Sequence, residues 1–450
     1  MKGDINIKLL PSKILQYGGS FAVLVILAML IGLYYVLPGL YNALCGGLYD
    51  VHEQVPFVDL GDILQAGVCC RHGVNVYIPS ACLNGGVFNY SPILLNVARL
   101  PITLGDRAIG GLLLAVSFIA SLALLPAARS YPELLYRCVA YISTTVFYAI
   151  EQGNLDLGLF AVTVLGLWYI CKNSKLSLIG YVLFGVAAAA KFYPAILFFL
   201  GLRERVTRLI LLGLSGCIMG VVVVAAYGSG LLKIFSIIPI SQPFRATFGA
   251  SDLFSGLALL HIWPWQSATH VIRPFYPSVT LLSVQQGSVF FTLLMSLGAL
   301  AWAWKDSTYY SSVMSRISSQ RMVFLIAGAL IIVFCFFITQ NVYYRGIFLL
   351  MVVPGFWGLA FPRKESRDRR AILLLTLIMA LLWEATIRAI VHEIAAVLLP
   401  AWAGEAAMVI VWVARELAWW WLIIQLLALI ILYFRHEIIR LRAEARLWLK

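Results

Sequence analysis

The run YGGSFAVLVILAMLIGLYYV, from Tyr17 to Val36, decides the class of fold. It carries no charge over 20 residues, and an α-helix needs about 20 apolar residues to cross a bilayer. Similar runs recur along all 450 residues, of which 62% are hydrophobic and 12% charged. Soluble proteins average about 25% charged residues. The sequence therefore predicts an all-α polytopic membrane protein. Because the first run is long, has no small-residue cleavage site and precedes further apolar runs, we expect it to be retained.

Basic residues predict the orientation of the chain. Lys2, Lys8 and Lys13 precede the first run. Later basic stretches are RISSQR, RKESRDRR and the C-terminal RHEIIRLRAEARLWLK. By the positive-inside rule these segments and both termini lie in the cytoplasm, with about twelve spans between them. The net charge of +13 then follows from topology, so no nucleic-acid partner is expected.

The apolar runs leave two long polar segments on the outer side, residues 37–107 and 228–287, where we expect interfacial helices. We interpret residues 1–450 as one membrane domain that contains both segments. Residues 435–450 have the pattern of a basic amphipathic tail, which we expect to lie on the anionic inner leaflet.

Four cysteines lie in the first outer segment: Cys45, Cys69, Cys70 and Cys82. Outside a bacterial cytoplasm the environment is oxidising, so Cys82 could pair with Cys70 or with Cys69. Alternatively, all four are small buried residues without a bond, since spacing does not decide pairing. The chain has no CxxC motif or histidine-rich cluster, so no structural metal site is predicted.

The stretch PFVDLGDILQAG, Pro56 to Gly67, places scarce acidic residues at the edge of the membrane. Its apolar residues recur at helical spacing, and Asp59 and Asp62 share an adjoining face. The pattern predicts an interfacial helix with Pro56 in its first turn. The carboxylates either solvate and cap this helix or do chemistry at the outer surface.

Further polar clusters fall on the same predicted side. HGVNVY and CLNGGVFNYSP contain Tyr77, Asn89 and Tyr90, which suit contacts with a sugar or an ordinary interfacial aromatic belt. EQGNLDLG places Gln152 and Asn154 at a hairpin tip, where amide side chains bind hydroxyl groups or satisfy the turn.

Two cations stand out for their positions. Lys191 lies within the apolar segment AAAAKFYP, just before a predicted helix break, and either snorkels or holds an anion. Arg345 lies at the outer end of a span, and its guanidinium fits phosphate oxygens. Glu384 and Arg388 have the i, i+4 spacing of a pair within one helix, with His392 on the same face.

Four motifs in order resemble the GT-C membrane glycosyltransferases of bacteria, above all glycosyltransferase family 87, the polyprenyl-phosphate-mannose-dependent type. The first is D-x6-A-x6-G-x3-Y, here Asp59, Ala66, Gly73 and Tyr77, followed by FNYSP. The others are EQGNLDLGLFAVTVLGLW, GVAAAAKFYPAILFFL and YYRGIFLLMVVP. The chain has Glu151 where the family motif has Gly, and it lacks the usual Pro before the tyrosine.

The resemblance implies a GT-C fold and an inverting sugar transfer at the outer face of a bacterial inner membrane. The donor would be a polyprenyl-phosphate sugar, and the acceptor a hydroxyl of a lipid or glycan. Asp59 matches the family's general base, Asp62 would orient the acceptor or substitute as base, and Lys191 and Arg345 would hold the donor phosphate. No cofactor is implied, although two neighbouring carboxylates are also a set that binds a divalent cation.

Two other functions remain open at this stage. A transporter or flippase for a lipid-linked saccharide would show inverted repeats and broken helices, and the sequence shows one predicted break and no repeat. A membrane acyltransferase would need a deep histidine with a carboxylate partner, which His392 fits poorly.

Overall fold

The computed structural model describes residues 9–49, 56–88, 90–98, 100–172, 175–237, 247–262, 278–338, 341–362 and 367–448. These residues are almost entirely helical, which confirms the predicted all-α class. The α-helices in chain order are α1 Leu9–Val36, α2 Pro38–Tyr49, α3 Val58–Arg71, α4 Pro92–Ala98, α5 Arg107–Leu122, α6 Tyr131–Tyr141, α7 Thr144–Glu151, α8 Leu155–Lys172, α9 Ser177–Ala190, α10 Val206–Ile237, α11 Asp252–Ile262, α12 Ser278–Val313, α13 Ser319–Ile338, α14 Leu349–Ala360, α15 Arg369–Leu382, α16 Glu384–Leu398 and α17 Ala401–Trp448.

Five 3-10 helices and one short strand pair complete the described elements. The 3-10 helices are Ala81–Leu83, Leu104–Asp106, Tyr193–Arg203, Met314–Arg316 and Tyr343–Phe348. Strand β1, Thr247–Phe248, pairs antiparallel with β2, Asn341–Val342. The sequence does not predict this pair, because two-residue strands are too short to show a hydrophobic period.

Eight helical segments among the described residues are long and apolar enough to cross a membrane: Ser12–Val36, Leu104–Leu122, Leu155–Lys172, Val206–Gly228, Gln286–Arg316, Ser319–Ile338, Tyr343–Ala360 and Ala401–Arg446. A ninth arises if α15 and α16, which meet at 71°, form one broken span. The chain is thus a multi-pass membrane protein. The total of twelve spans stays a prediction.

The chain divides into two compact units. The first contains Met1–His52, Pro126–Tyr148 and Ile240–Leu432, and the second contains Glu53–Leu125, Ala149–Pro239 and Tyr433–Lys450. Each unit therefore combines segments from distant parts of the sequence. The interpretation of residues 1–450 as one membrane domain stays a prediction.

The core of the first unit is the packing of α13 against α14, whose residues are mostly buried. Small residues let the two helices approach closely. A Cβ atom on Gly328 would lie 2.7 Å from Cγ1 of Val352, and one on Gly355 would lie 2.7 Å from Cβ of Leu325. The apolar runs that the sequence shows here are therefore buried in protein as well as in the membrane.

A buried ion cluster joins α6 to α13 in the first unit. Glu133 binds the guanidinium groups of both Arg137 and Arg321, with Arg321 Nη1 at 2.9 Å from Glu133 Oε1. Carbonyl oxygens accept further donors of the two arginines, including that of Pro354 at 2.6 Å from Arg321 Nη1. Because buried charges are costly without partners, this cluster ties α6 to α13.

One expectation about the last third of the chain changes. Glu384 binds Nη1 of Arg415 in α17 at 2.5 Å, so the partner that the structure gives it is not the predicted Arg388. The bend before α16 leaves Glu384 buried at the start of its helix, facing another element. Residues 435–448 continue α17 without a break, and Arg440 donates to the carbonyl oxygens of Leu202 and Glu204 at 2.7 and 2.9 Å. The position of this basic tail on the inner leaflet stays a prediction.

We predict that Glu133→Gln lowers the free energy of unfolding by about 3–5 kcal/mol, because it leaves two arginines without their buried counter-charge. Thermal unfolding of the purified protein in detergent measures the loss. Glu393→Gln is the matched control, since its carboxylate is 80% exposed and should tolerate the change. Equal stability of the two variants would contradict the structural role of the cluster.

Candidate active site

The first turn of α3 is fixed to the turn between α7 and α8, all within the second unit. The backbone N–H of Phe57 donates to the carbonyl oxygen of Glu151 at 2.6 Å, and that of Asp59 donates to Gln152 at 3.0 Å. Phe57 adopts a left-handed conformation with φ of 65°. The helix therefore begins at Val58, and the prediction that Pro56 lies in its first turn is wrong.

Two glycines allow this close approach. A Cβ atom on Gly153, whose φ is +59°, would lie 2.8 Å from Cβ of Phe57. A Cβ on Gly111 of α5 would lie 2.3 Å from Cγ of the Phe57 ring. A larger side chain at Gly153 would push the start of α3 away from the turn, and one at Gly111 would displace the Phe57 ring from α5.

The Asp59 carboxylate faces this turn and is held by it. Asn154, which is fully buried, donates from Nδ2 to Asp59 Oδ2. The amide oxygen of Asn154 accepts the backbone N–H of Asp156 at 2.9 Å. Since an N–H group can only donate, this second contact orients the amide so that its NH2 group points to Asp59.

Burial raises the pKa of the Asp59 carboxyl to about 6, from an ordinary value of 3.8. The hydrogen bond from Asn154 and the charge of Lys191 oppose the rise, whereas the charges of Asp62 and Asp156 add to it. A carboxylate with a pKa near neutrality accepts a proton more readily than an ordinary aspartate. Asp59 is therefore the candidate general base among the residues of this site.

Asp62 lies in a different environment on the same helix. Its side chain is exposed, whereas Asp59 is half-buried and Ile63, one turn after Asp59, is 5% exposed. The predicted shared face is present, but only Asp59 faces the turn at Gln152. The two carboxylates therefore differ in solvation, and Asp59 is the better candidate for catalysis.

A second acidic group lies next to this site. Asp156 of α8 is fully buried, and its Oδ1 accepts from Nζ of Lys191 at 2.5 Å and from the hydroxyl of Tyr193 at 3.0 Å. Lys191 follows the last residue of α9, so the predicted helix break at this point is confirmed. The predicted phosphate cation is thus part of an ion pair in this structure.

The predicted aromatic residues pack beneath α3. The ring of Tyr77 meets that of Phe88 edge-on at 6.0 Å, and Tyr90 lies 5.7 Å from Phe88. Nζ of Lys191 lies 5.2 Å from the centre of the Tyr90 ring. Both tyrosines pack against the apolar cluster of α3, and Tyr90 also borders Lys191.

A disulfide closes the same cluster. Cys69 pairs with Cys82, which links the end of α3 to the 3-10 helix Ala81–Leu83. Cys69 is fully buried, whereas the neighbouring Cys70 is half-buried and keeps its thiol. Of the two predicted partners of Cys82, the structure therefore selects Cys69.

Gln152, Asn89 and Arg345 are the remaining residues that the sequence predicts for the site. The Gln152 side chain is buried and donates to the carboxylate of Glu151 at 2.7 Å, so Gln152 contributes its backbone carbonyl to the site. Asn89 lies outside the described residues. Arg345 belongs to the first unit, where it binds the Asn341 amide beside the stacked rings of Tyr148 and Tyr343.

Three residues of the site were not predicted from the sequence: Phe57, Asp156 and Tyr193. The sequence does contain a signal for Asp156. Asp156 and Lys191 both interrupt apolar runs, and each charge is costly there unless it meets the other. This cost indicates a pair, even though 35 residues separate the two in the sequence.

Comparisons of the chain with protein-family models, with curated proteins and with solved structures find no match.

We predict that Asp59→Asn raises stability at alkaline pH. The unfolded carboxyl ionises near pH 3.8 and the folded one near 6, so stability falls as the pH rises through this interval. Asparagine does not ionise, so it should add about 1–3 kcal/mol to the free energy of unfolding at pH 8 and little at pH 4. Thermal unfolding at both pH values measures this; the exposed Asp62→Asn should show a smaller gain, since it removes only the repulsion between the two carboxylates. No gain for Asp59→Asn at pH 8 would contradict the assigned burial of Asp59.

Proposed function

We propose that this protein is an inverting glycosyltransferase of the GT-C type, with Asp59 as its general base. It transfers a sugar such as mannose from a polyprenyl-phosphate donor to a hydroxyl group of a lipid-linked or glycan acceptor. The observation that carries the proposal is the half-buried Asp59 carboxylate with a pKa of about 6, held by Asn154 at the first turn of an interfacial helix.

The reaction is a single displacement. The acceptor hydroxyl gives its proton to the Asp59 carboxylate as its oxygen bonds to the anomeric carbon of the sugar. The bond from that carbon to the phosphate oxygen breaks, and polyprenyl phosphate leaves with the electron pair. Attack from the face opposite the leaving group inverts the anomeric configuration. A lipid phosphate is already a leaving group, so the site needs no nucleotide-binding loop.

Further residues of the second unit support this chemistry. An ammonium has three N–H donors, so binding to Asp156 does not prevent Lys191 from contacting a phosphate oxygen. Tyr90, beside Lys191, offers an aromatic face of the kind that stacks on sugars. Arg345, in the first unit, keeps its sequence-based role in donor binding as a prediction.

The Cys69–Cys82 disulfide supports the proposed location. Disulfides persist outside the reducing cytoplasm. This one joins the end of α3, the helix that carries Asp59, to the 3-10 helix Ala81–Leu83. The proposal therefore places the Asp59 site at the outer face of a bacterial inner membrane.

We predict that Asp59→Asn lowers sugar transfer by about 10²–10⁴-fold, because the acceptor loses its base. The purified protein in lipid nanodiscs is incubated with a radiolabelled polyprenyl-phosphate sugar and a lipid extract, and labelled product is counted. The wild-type rate should fall as the pH drops below about 6, where Asp59 becomes protonated.

Asp62→Asn is the matched control and should retain a rate within about 10-fold of wild type, since general-base catalysis is assigned to Asp59 alone. Membrane abundance of both variants is measured in parallel. Turnover of Asp59→Asn near the wild-type rate would refute the assignment of the base.

Transport of a lipid-linked saccharide is the second candidate, favoured by one feature of the first unit. Helices α15 and α16 form a broken pair bent by 71°, and the buried Glu384 at the bend binds Arg415. Broken helices and intramembrane ion pairs are common in transporters. A transporter would move the labelled lipid without forming a new glycosidic bond.

A further inference from the structure

We propose that Asp156 positions and tunes the general base Asp59 through the side chains that it holds. The inference rests on the proposed role of Asp59 in sugar transfer. Asp156 acts through other side chains, so it is a positioning residue. Its backbone N–H and its carboxylate act on Asp59 by separate routes.

The first route runs through Asn154. The backbone N–H of Asp156 donates to Oδ1 of Asn154 at 2.9 Å, which fixes the direction of the amide. With its oxygen occupied, the amide presents Nδ2 to Asp59 Oδ2. Among the residues that the structure describes, Asn154 is the hydrogen-bond partner of this carboxylate, which leaves Oδ1 of Asp59 for the acceptor hydroxyl.

The second route runs through Lys191. The Asp156 carboxylate anchors the ammonium group at 2.5 Å, and the Tyr193 hydroxyl supports the same oxygen at 3.0 Å. Lys191 has an extended backbone at the C-terminal end of α9, with φ of −141° and ψ of 136°. Anchoring the ammonium there fixes its distance from Asp59, on which its charge acts.

The charges of Asp156 and Lys191 act on Asp59 in opposite directions. The negative charge of Asp156 favours the protonated form of Asp59, and the positive charge of Lys191 favours the ionised form. The two charges therefore oppose each other at Asp59, and burial keeps the pKa of this carboxyl high. Other charged groups near this end of α3 are Asp62 on the helix itself, Glu151 at the turn, Asp106 before α5, and Arg107, which packs against Gly61.

The inference is tested by measuring the titration midpoint of Asp59 in two variants, which should shift it in opposite directions. Protonated carboxyl groups react with dicyclohexylcarbodiimide, so labelling of Asp59 against pH, read by peptide mass spectrometry, gives its midpoint without any need for sugar transfer. All variants are compared in an Asp62→Asn background, which leaves Asp59 as the carboxyl in this part of α3.

We expect the midpoint to move to lower pH in Asp156→Asn, because a negative neighbour is lost while the substitution leaves the backbone N–H bond to Asn154 in place. It should move to higher pH in Lys191→Met, where the positive neighbour is lost. Tyr193→Phe removes one hydrogen bond and no charge, so its midpoint should stay at the wild-type value. Sugar transfer by Asp156→Asn at pH 7 should fall about 10-fold, as for a weakened base.

Asn154→Leu tests the first route, and it should move the midpoint to higher pH because the carboxylate loses its donor. Unchanged midpoints in both Asp156→Asn and Lys191→Met would overturn the inference. If the midpoints move as expected but the wild-type protein transfers no sugar, the proposed function fails and the positioning of Asp59 stands. If sugar is transferred and the midpoints do not move, the positioning role fails alone.

Discussion

The docking of α3 on the turn before α8 is the constraint on which the site depends. Two backbone hydrogen bonds hold the first residues of the helix against the carbonyl groups of Glu151 and Gln152. This docking requires a left-handed Phe57 and a glycine at position 153. It also takes Asp59 out of bulk water, which costs stability at neutral pH and makes its carboxylate more basic. The docking of α3 thus explains both the left-handed backbone of Phe57 and the raised pKa of Asp59.

Several features were predictable because they rest on local patterns. Apolar runs of about 20 residues indicate spans wherever they occur. Lys191 and Pro194, three residues apart within such a run, indicate the break after α9. The helical spacing around Asp59 places it on a face with Asp62, and burial of Ile63 follows from the same periodicity. Asn154 stood out as a polar residue at a hairpin tip, where a turn needs amide groups.

Other features depend on contacts between segments that are distant in the sequence. Asp59 is less exposed to solvent than Asp62 because the turn before α8 covers Asp59 alone. The choice of Cys69 over Cys70 follows from the rotation of about 100° per helical residue, which turns the latter away from Cys82. The pair between Asp156 and Lys191 joins α8 to the end of α9. No periodicity in either segment encodes such a partner.

Covalent transfer is the property that separates the proposed enzyme from a transporter. The most direct measurement reconstitutes the purified protein in sealed vesicles, with a radiolabelled polyprenyl-phosphate sugar and a lipid extract as acceptors. The account predicts that the label leaves the donor and appears in a new glycosidic product, at a rate that falls as Asp59 is protonated. Label that crosses the membrane still attached to its polyprenyl phosphate, with no new product, would contradict it.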